Sequence, residues 1–168
     1  MKTQKTVTQV KVSKQHIAIL RAFMGREIKR YALDQVNYAN DELAATDGRG
    51  LVVIKPHINL NLEDGMYDIK CDCLVKSDFE GKFAKYRTVI PEYKSRLTQD
   101  NIGKGLARVM IQAKIGIDVA AFAKQLKALD NLGRIWNFFA GEPNQPLLIE
   151  CQLDSYAAIT VVLMPFVL

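Results

Sequence analysis

The chain has 168 residues, 49% of them apolar and 24% charged, and carries a formal net charge of +5. That length suits one domain with a real hydrophobic core, and the composition excludes a disordered chain. No run of about 18 apolar residues is present to cross a bilayer as a helix, and no apolar stretch follows the first lysines as in a secretory signal. A cytoplasmic protein with no membrane partner is expected.

In chain order, residues 6–13, TVTQVKVS, alternate like a strand. Ser13 is placed to cap a helix over 14–28, with Ile17, Leu20, Met24 and Ile28 as its apolar stripe. Residues 30–38, RYALDQVNY, alternate again. ELAATDGRGLVVIKPHI then reads as two strands around the turn formers Asp47 and Gly48. MYDIKCDCLVKS, after the turn at Asp64 and Gly65, reads as one strand with Cys71 and Cys73 on the same face. Within 81–97 a strand-like YRTVIPEY is broken by Pro91, which suits a connector or an edge segment.

ARVMIQAKIG reads as a strand, and IDVAAFAKQLKALDNLG as a helix capped by Asp118 and ended by Gly133. Val119, Phe122, Leu126 and Leu129 form that helix's expected buried stripe. RIWNFFAG, PLLIECQL and YAAITVVLMPFVL supply three final strands. The order of elements thus repeats as two β-α-β-β-β halves, about 6–77 and about 106–168, joined by a connector over about 78–105. An α+β fold with helices on one face of antiparallel sheets is expected.

Catalytic signatures are missing from the pattern. There is no phosphate-binding glycine loop and no nucleophile–histidine arrangement. Asp41, Glu42, Asp47, Glu63 and Asp64 could be assembled into a carboxylate set, yet all fall in expected turns, where such residues are common anyway. Cys71, Cys73 and Cys151 have no histidine at ligand spacing, so reduced thiols are expected, with no metal and no cofactor. The excess of lysine and arginine favours an anionic partner, nucleic acid first.

Three segments carry a resemblance to a known family. RYALDQVNYANDELAATDGRGLVV resembles the segment of bacterial DNA sliding clamps that ends in Thr-Asp-Gly-His-Arg-Leu. FAKYRTVIP resembles their Phe-Pro-x-Tyr-Arg-x-Val-Ile/Leu-Pro linker, and SYAAITVVLMPFVL resembles their C-terminal Tyr-x-Val-Met-Pro-Met-Arg-Leu ending. These stand in the family's order over residues 7–168. The resemblance implies a DNA-clamp-like domain acting as a non-catalytic processivity or tethering platform. Duplex DNA would be bound without regard to sequence, and DNA polymerase or other clamp-binding proteins would dock through short linear motifs. Known clamp rings comprise six such domains and bacterial chains have three, so a one-domain chain would self-associate as a hexamer to close a ring.

By the same resemblance, the helices face DNA with Lys14, Arg21, Lys124 and Lys127, and the loop GREIKR adds Arg26 and Lys29. Lysine and arginine suit this task because their attraction to phosphate is sequence-independent. The partner pocket would comprise Leu33, Thr46, Gly48, Arg49 and Leu51, with Val89 from the linker and Val162 and Met164 from the last strand. Clamps draw this pocket from adjoining domains, so here it forms either within one chain or across a subunit boundary. Four departures fall in these motifs. Arg49 replaces the histidine, Gly50 the arginine, Ala84 the linker's first proline and Val167 the penultimate arginine. They imply a pocket that is shallower, or tuned to a different peptide. Two other readings compete: a clamp-fold interaction module that forms no ring and modulates or mimics a host clamp, and a small basic DNA-binding protein.

Overall fold

Alternating apolar residues build one ten-stranded antiparallel sheet. The computed structural model describes residues 9–26, 31–56, 58–79, 81–92, 97–99, 101–113, 116–132, 134–142, 145–153 and 157–165. The elements run β1 (Gln9–Lys11), α1 (Lys14–Phe23), β2 (Val36–Ala39), β3 (Glu42–Thr46), β4 (Gly50–Pro56), β5 (Gly65–Lys70) and β6 (Cys73–Lys76). After a 3-10 turn at Tyr86–Val89 come β7 (Leu97–Gln99), α2 (Ile102–Ala113), α3 (Ala123–Asp130), β8 (Trp136–Phe139), β9 (Leu147–Leu153) and β10 (Ala157–Leu163). The strand order is β1-β6-β5-β2-β3-β4-β10-β9-β8-β7. Two units, β1-α1-β2-β3-β4 with the β5–β6 hairpin and β7-α2-α3-β8-β9-β10, meet where β4 pairs with β10, with Leu51 opposite Val162; the second has two helices where one was expected and begins within the expected connector. In the first unit the β5–β6 hairpin is inserted between β1 and β2, whereas β7 and β8 pair directly in the second.

The period-two pattern divides each central strand between two layers. Leu43, Ala45, Val52, Ile54, Ile149 and Val161 pack with Ile17, Leu20, Phe23, Leu106, Phe122 and Leu129 of the helical layer. Their neighbours Ala44, Leu51, Val53, Leu148 and Val162 pack instead with Tyr86, Phe83 and Ile90 from the connector. Helices thus cover one face of the sheet and the connector crosses the other. Each fully buried aliphatic side chain in these layers contributes on the order of 1.5–3 kcal/mol.

Several local expectations need correction. The strand expected over 107–116 is replaced by a helix, Ile102–Ala113, and residues 114–115 lie outside the described residues. Ile102, Leu106 and Val109 are buried while Ile111 is 79% exposed, which is helical and not strand periodicity. Gly105 makes the fit possible, because a Cβ there would lie 2.1 Å from the Phe138 ring. The segment MYDIKCDCLVKS is a hairpin, not one strand. Lys70 pairs with Cys73, and Cys71 sits in the turn at φ +54°, so the two cysteines do not share a strand face. Within YRTVIPEY, Tyr86–Val89 is a 3-10 turn, and no described residue of the segment is in a strand.

Other boundaries shift more modestly. The strand expected over 30–38 starts at Val36, and α1 ends at Phe23 rather than 28. Ser13 caps α1, its hydroxyl accepting from the His16 amide at 3.2 Å. Asp118 caps a turn that precedes α3, accepting from the Ala121 amide, and Val119 is 46% exposed, outside the buried stripe. Ile28, Lys29, Gly133 and Val167 lie outside the described residues. No helix among the described residues is long and apolar enough to cross a membrane.

Candidate functional site

The β3–β4 turn sets the geometry of the site. Asp47 Oδ1 accepts from the amides of Arg49 (2.9 Å) and Gly50 (2.7 Å). Thr46 Oγ1 accepts from the Gly48 amide at 3.0 Å and donates to the Gly50 carbonyl at 2.7 Å. Gly48 takes φ +88°, a left-handed conformation that a side chain would strain. The other Asp47 oxygen accepts from Gln125 Nε2 at 2.9 Å, which ties the turn to α3. On the far side, the Met164 amide donates to the Arg49 carbonyl, carrying the end of β10 alongside the turn.

The connector closes the site from above the sheet. Arg87 forms an ion pair with Glu42 of β3 at 2.8 Å, and the Tyr86 ring is buried against β3, β4 and β10 residues. Burial pushes the Tyr86 hydroxyl above the usual phenol value, against the opposing pull of the Arg87 guanidinium. A bridge between Tyr31 and Lys82 joins the connector to the segment leading into β2.

Between connector and sheet lies a cavity of about 320 Å³ lined by Leu33, Thr46, Gly48, Arg49, Leu51, Val89, Val162 and Met164. These are the eight residues assigned to a partner pocket above, and they meet within one chain. Gly50 and Ala84, the two departures expected to alter the pocket, also line it, as do Tyr31, Lys85 and Tyr86, which were missed. The signal for Tyr86 lay in the backbone. Positions i and i+3 of a 3-10 turn share a side, so Tyr86 accompanies Val89, whereas strand alternation separates them. The walls are mainly aliphatic and aromatic, and Arg49 and Lys85 are exposed at positions able to meet a polar group.

Gly50 bears on this cavity only through its backbone. A Cβ there would lie 3.2 Å from Phe122 and 3.3 Å from Phe23, both in the helical layer. The departure at this position therefore concerns the helix face more than the cavity.

The basic residues carried by α1 and α3 lie across the sheet from the cavity, whereas Arg26 follows Gly25, whose amide donates to the Leu33 carbonyl. Lys14 and Arg21 of α1, Lys124 and Lys127 of α3, and Arg26 beyond α1 are all exposed. Lys124 and Lys127 line a groove between α1 and α3 together with Ala18 and Ala22. Two of these cations have structural partners as well. Arg21 donates to the Cys71 carbonyl at 2.8 Å, and Lys124 donates to the Arg21 carbonyl at 2.9 Å near the C-terminus of α1. Lys104 and Arg108, exposed one turn apart on α2, were missed because that segment reads as a strand. Across the three helices the basic side chains are Lys14, Arg21, Lys104, Arg108, Lys124 and Lys127, and the acidic one is Asp130. Among the described residues no three His, Cys, Asp or Glu side chains come together as metal ligands.

No family model and no curated protein matches the chain. Solved structures do. The DNA polymerase sliding clamp of Pseudomonas aeruginosa with ligand superposes at a TM-score of 0.62 and 13% identity, over 96% of this chain and 66% of that one. The Caulobacter crescentus beta sliding clamp, with polyethylene glycol bound, gives 0.63 at 13% identity, over 100% and 68%. DNA polymerase III subunit beta of Borrelia burgdorferi, in complex with a natural product, gives 0.62 at 10% identity, over 100% and 66%. The chain spans about two thirds of the length of these clamps. At such identities the likeness is one of fold, and the chain has an α+β clamp-like fold.

Proposed function

We propose that this protein is a non-catalytic, clamp-like platform that holds duplex DNA against its helical face and partner proteins in the cavity across the sheet. The observation that carries the reading is the convergence of the eight pocket residues around one apolar cavity of about 320 Å³. A cavity of this size and lining accepts two or three apolar side chains of an extended peptide, and its exposed Arg49 and Lys85 favour an acidic or carboxylate group nearby. The helical face supports the other half of the proposal, since six cations against one carboxylate attract phosphate without reading bases. DNA and peptide would then occupy opposite faces and not compete.

In this reading the chain self-associates to encircle DNA. Among the described residues the short strands β1 and β7 stand at the two edges of the sheet, and a sheet edge is a template for a second copy. Six clamp domains make the ring in known clamps, hence six copies of this chain. A second reading, the ring-free interaction module, draws support from a specific feature: the cavity is complete within one chain and needs no subunit boundary.

The test is a fluorescence-anisotropy titration with a short peptide of two adjacent leucines, a phenylalanine and one acidic residue. Saturable micromolar binding is expected, weakened at least tenfold by Val89→Asp, a change at a 37% exposed side chain that spares the core. Tenfold corresponds to about 1.4 kcal/mol. Absence of binding, or equal binding to Val89→Asp, would refute the pocket assignment.

A further inference from the structure

Gln125 lies on α3 with 4% of its surface exposed, between the exposed Lys124 and the buried Leu126. Its Nε2 donates to Asp47 Oδ2 at 2.9 Å, and its Oε1 has no hydrogen-bond partner among the described residues. A buried amide oxygen without a donor is destabilising, so glutamine is a costly choice here beside leucine, which has the same reach and no polar atom. Its one hydrogen bond among the described residues goes to the turn that shapes the cavity.

The bond reaches the cavity through Asp47. The other Asp47 oxygen holds the amides of Arg49 and Gly50 at 2.9 and 2.7 Å, and the Arg49 carbonyl accepts from the Met164 amide at 3.0 Å. Arg49, Gly50 and Met164 all line the cavity, whereas Gln125 does not. Asp47 is half-buried, and a Cβ on Gly25 would lie 3.0 Å from the Asp47 Cα, so the backbone of the turn is packed from this side as well.

We propose that Gln125 is a positioning residue for the cavity: by holding Asp47 from α3 it fixes the turn and, with it, the place of Arg49 and Met164 at the mouth. Without that bond Asp47 Oδ2 turns to water, which its half-exposed position permits, and the carboxylate is free to leave the two amides. A ligand of the cavity then has to order the turn as it binds, which lowers its affinity. The effect on affinity rests on the reading of the cavity as a peptide site; the ordering of the turn does not.

Amide hydrogen exchange of the full chain, with the anisotropy titration above, tests this on Gln125→Leu and on Gln125→Met, a flexible side chain of similar size that fits where leucine does not. The Arg49 and Gly50 amides should exchange about tenfold faster, while those of Ile149 and Val161, buried in the centre of the sheet, keep their rates. The melting temperature should stay within about 3 °C of the unsubstituted protein, because the substitution also removes the orphan oxygen. Peptide affinity should fall about fivefold. Unchanged exchange at Arg49 and Gly50 overturns the proposal. So does faster exchange throughout the sheet with a lowered melting temperature, which marks a purely structural residue, and so does faster exchange at the turn with unchanged peptide affinity. If the unsubstituted protein binds no peptide, the pocket assignment fails, and exchange at the turn alone decides whether Gln125 holds it.

Discussion

Gly50 shows how a single residue can be misjudged from a motif alone. The clamp pattern has arginine there, which points to an altered pocket, yet the missing side chain would have met Phe122 and Phe23 in the helical layer. Gly50→Arg is therefore expected to destabilise the fold by about 1–3 kcal/mol through overpacking, and to lower the melting temperature by several degrees. Calorimetry checks this; an unchanged or higher melting temperature would show that the aromatic rings yield freely. Other residues were legible for plain physical reasons. Ser13 caps α1, and Asp47 with Gly48 turns the chain, because short polar side chains and a glycine at positive φ offer local bonds that few other residues can. Gln125 was not legible. It sits buried on α3 beside Leu126, and its bond to Asp47 depends on a turn 78 positions away in sequence.

At the scale of elements, strands bounded by clear turn formers were read correctly, as in ELAATDGRGLVVI, whereas the alternation of YDIKCDC runs straight through the turn at Cys71 and hid a hairpin. α2 was misread because ARVMIQAK has apolar residues close enough together to imitate a strand. Only the longer window from Ile102, with Leu106 and Val109 at helical spacing, separates the two. The connector was misread for a related reason. A 3-10 turn of four residues leaves too short a pattern to distinguish from a strand, and Pro91 fits both. Recovering α2 adds Lys104 and Arg108 to the basic face. Reversing both, Lys104→Glu with Arg108→Glu, should weaken duplex DNA binding at every sequence tested and flatten the log–log salt dependence by roughly two. Peptide binding across the sheet should be unaffected. Unchanged DNA affinity and salt slope would remove α2 from the interface.

For the molecule as a whole, the sheet order explains how motifs scattered over 130 residues reach one cavity. Leu33 and the β3–β4 turn come from the first half, Val89 from the connector, and Val162 and Met164 from the last strand. Pairing of β4 with β10 joins them, so the site depends on the β4–β10 register in which Leu51 lies opposite Val162. No periodicity argument supplies that pairing; the resemblance of the motifs named residues on both strands without saying that the strands pair. Among the described residues the sheet ends at β1 and β7, which leaves assembly as the property on which the platform proposal turns. Its most direct test is native mass spectrometry of the full chain at micromolar concentration with a closed duplex DNA circle. The account predicts a closed assembly of six copies that remains on the circle and is released when the DNA is cut. A strictly monomeric protein under these conditions would contradict the encircling platform and leave the ring-free module in its place.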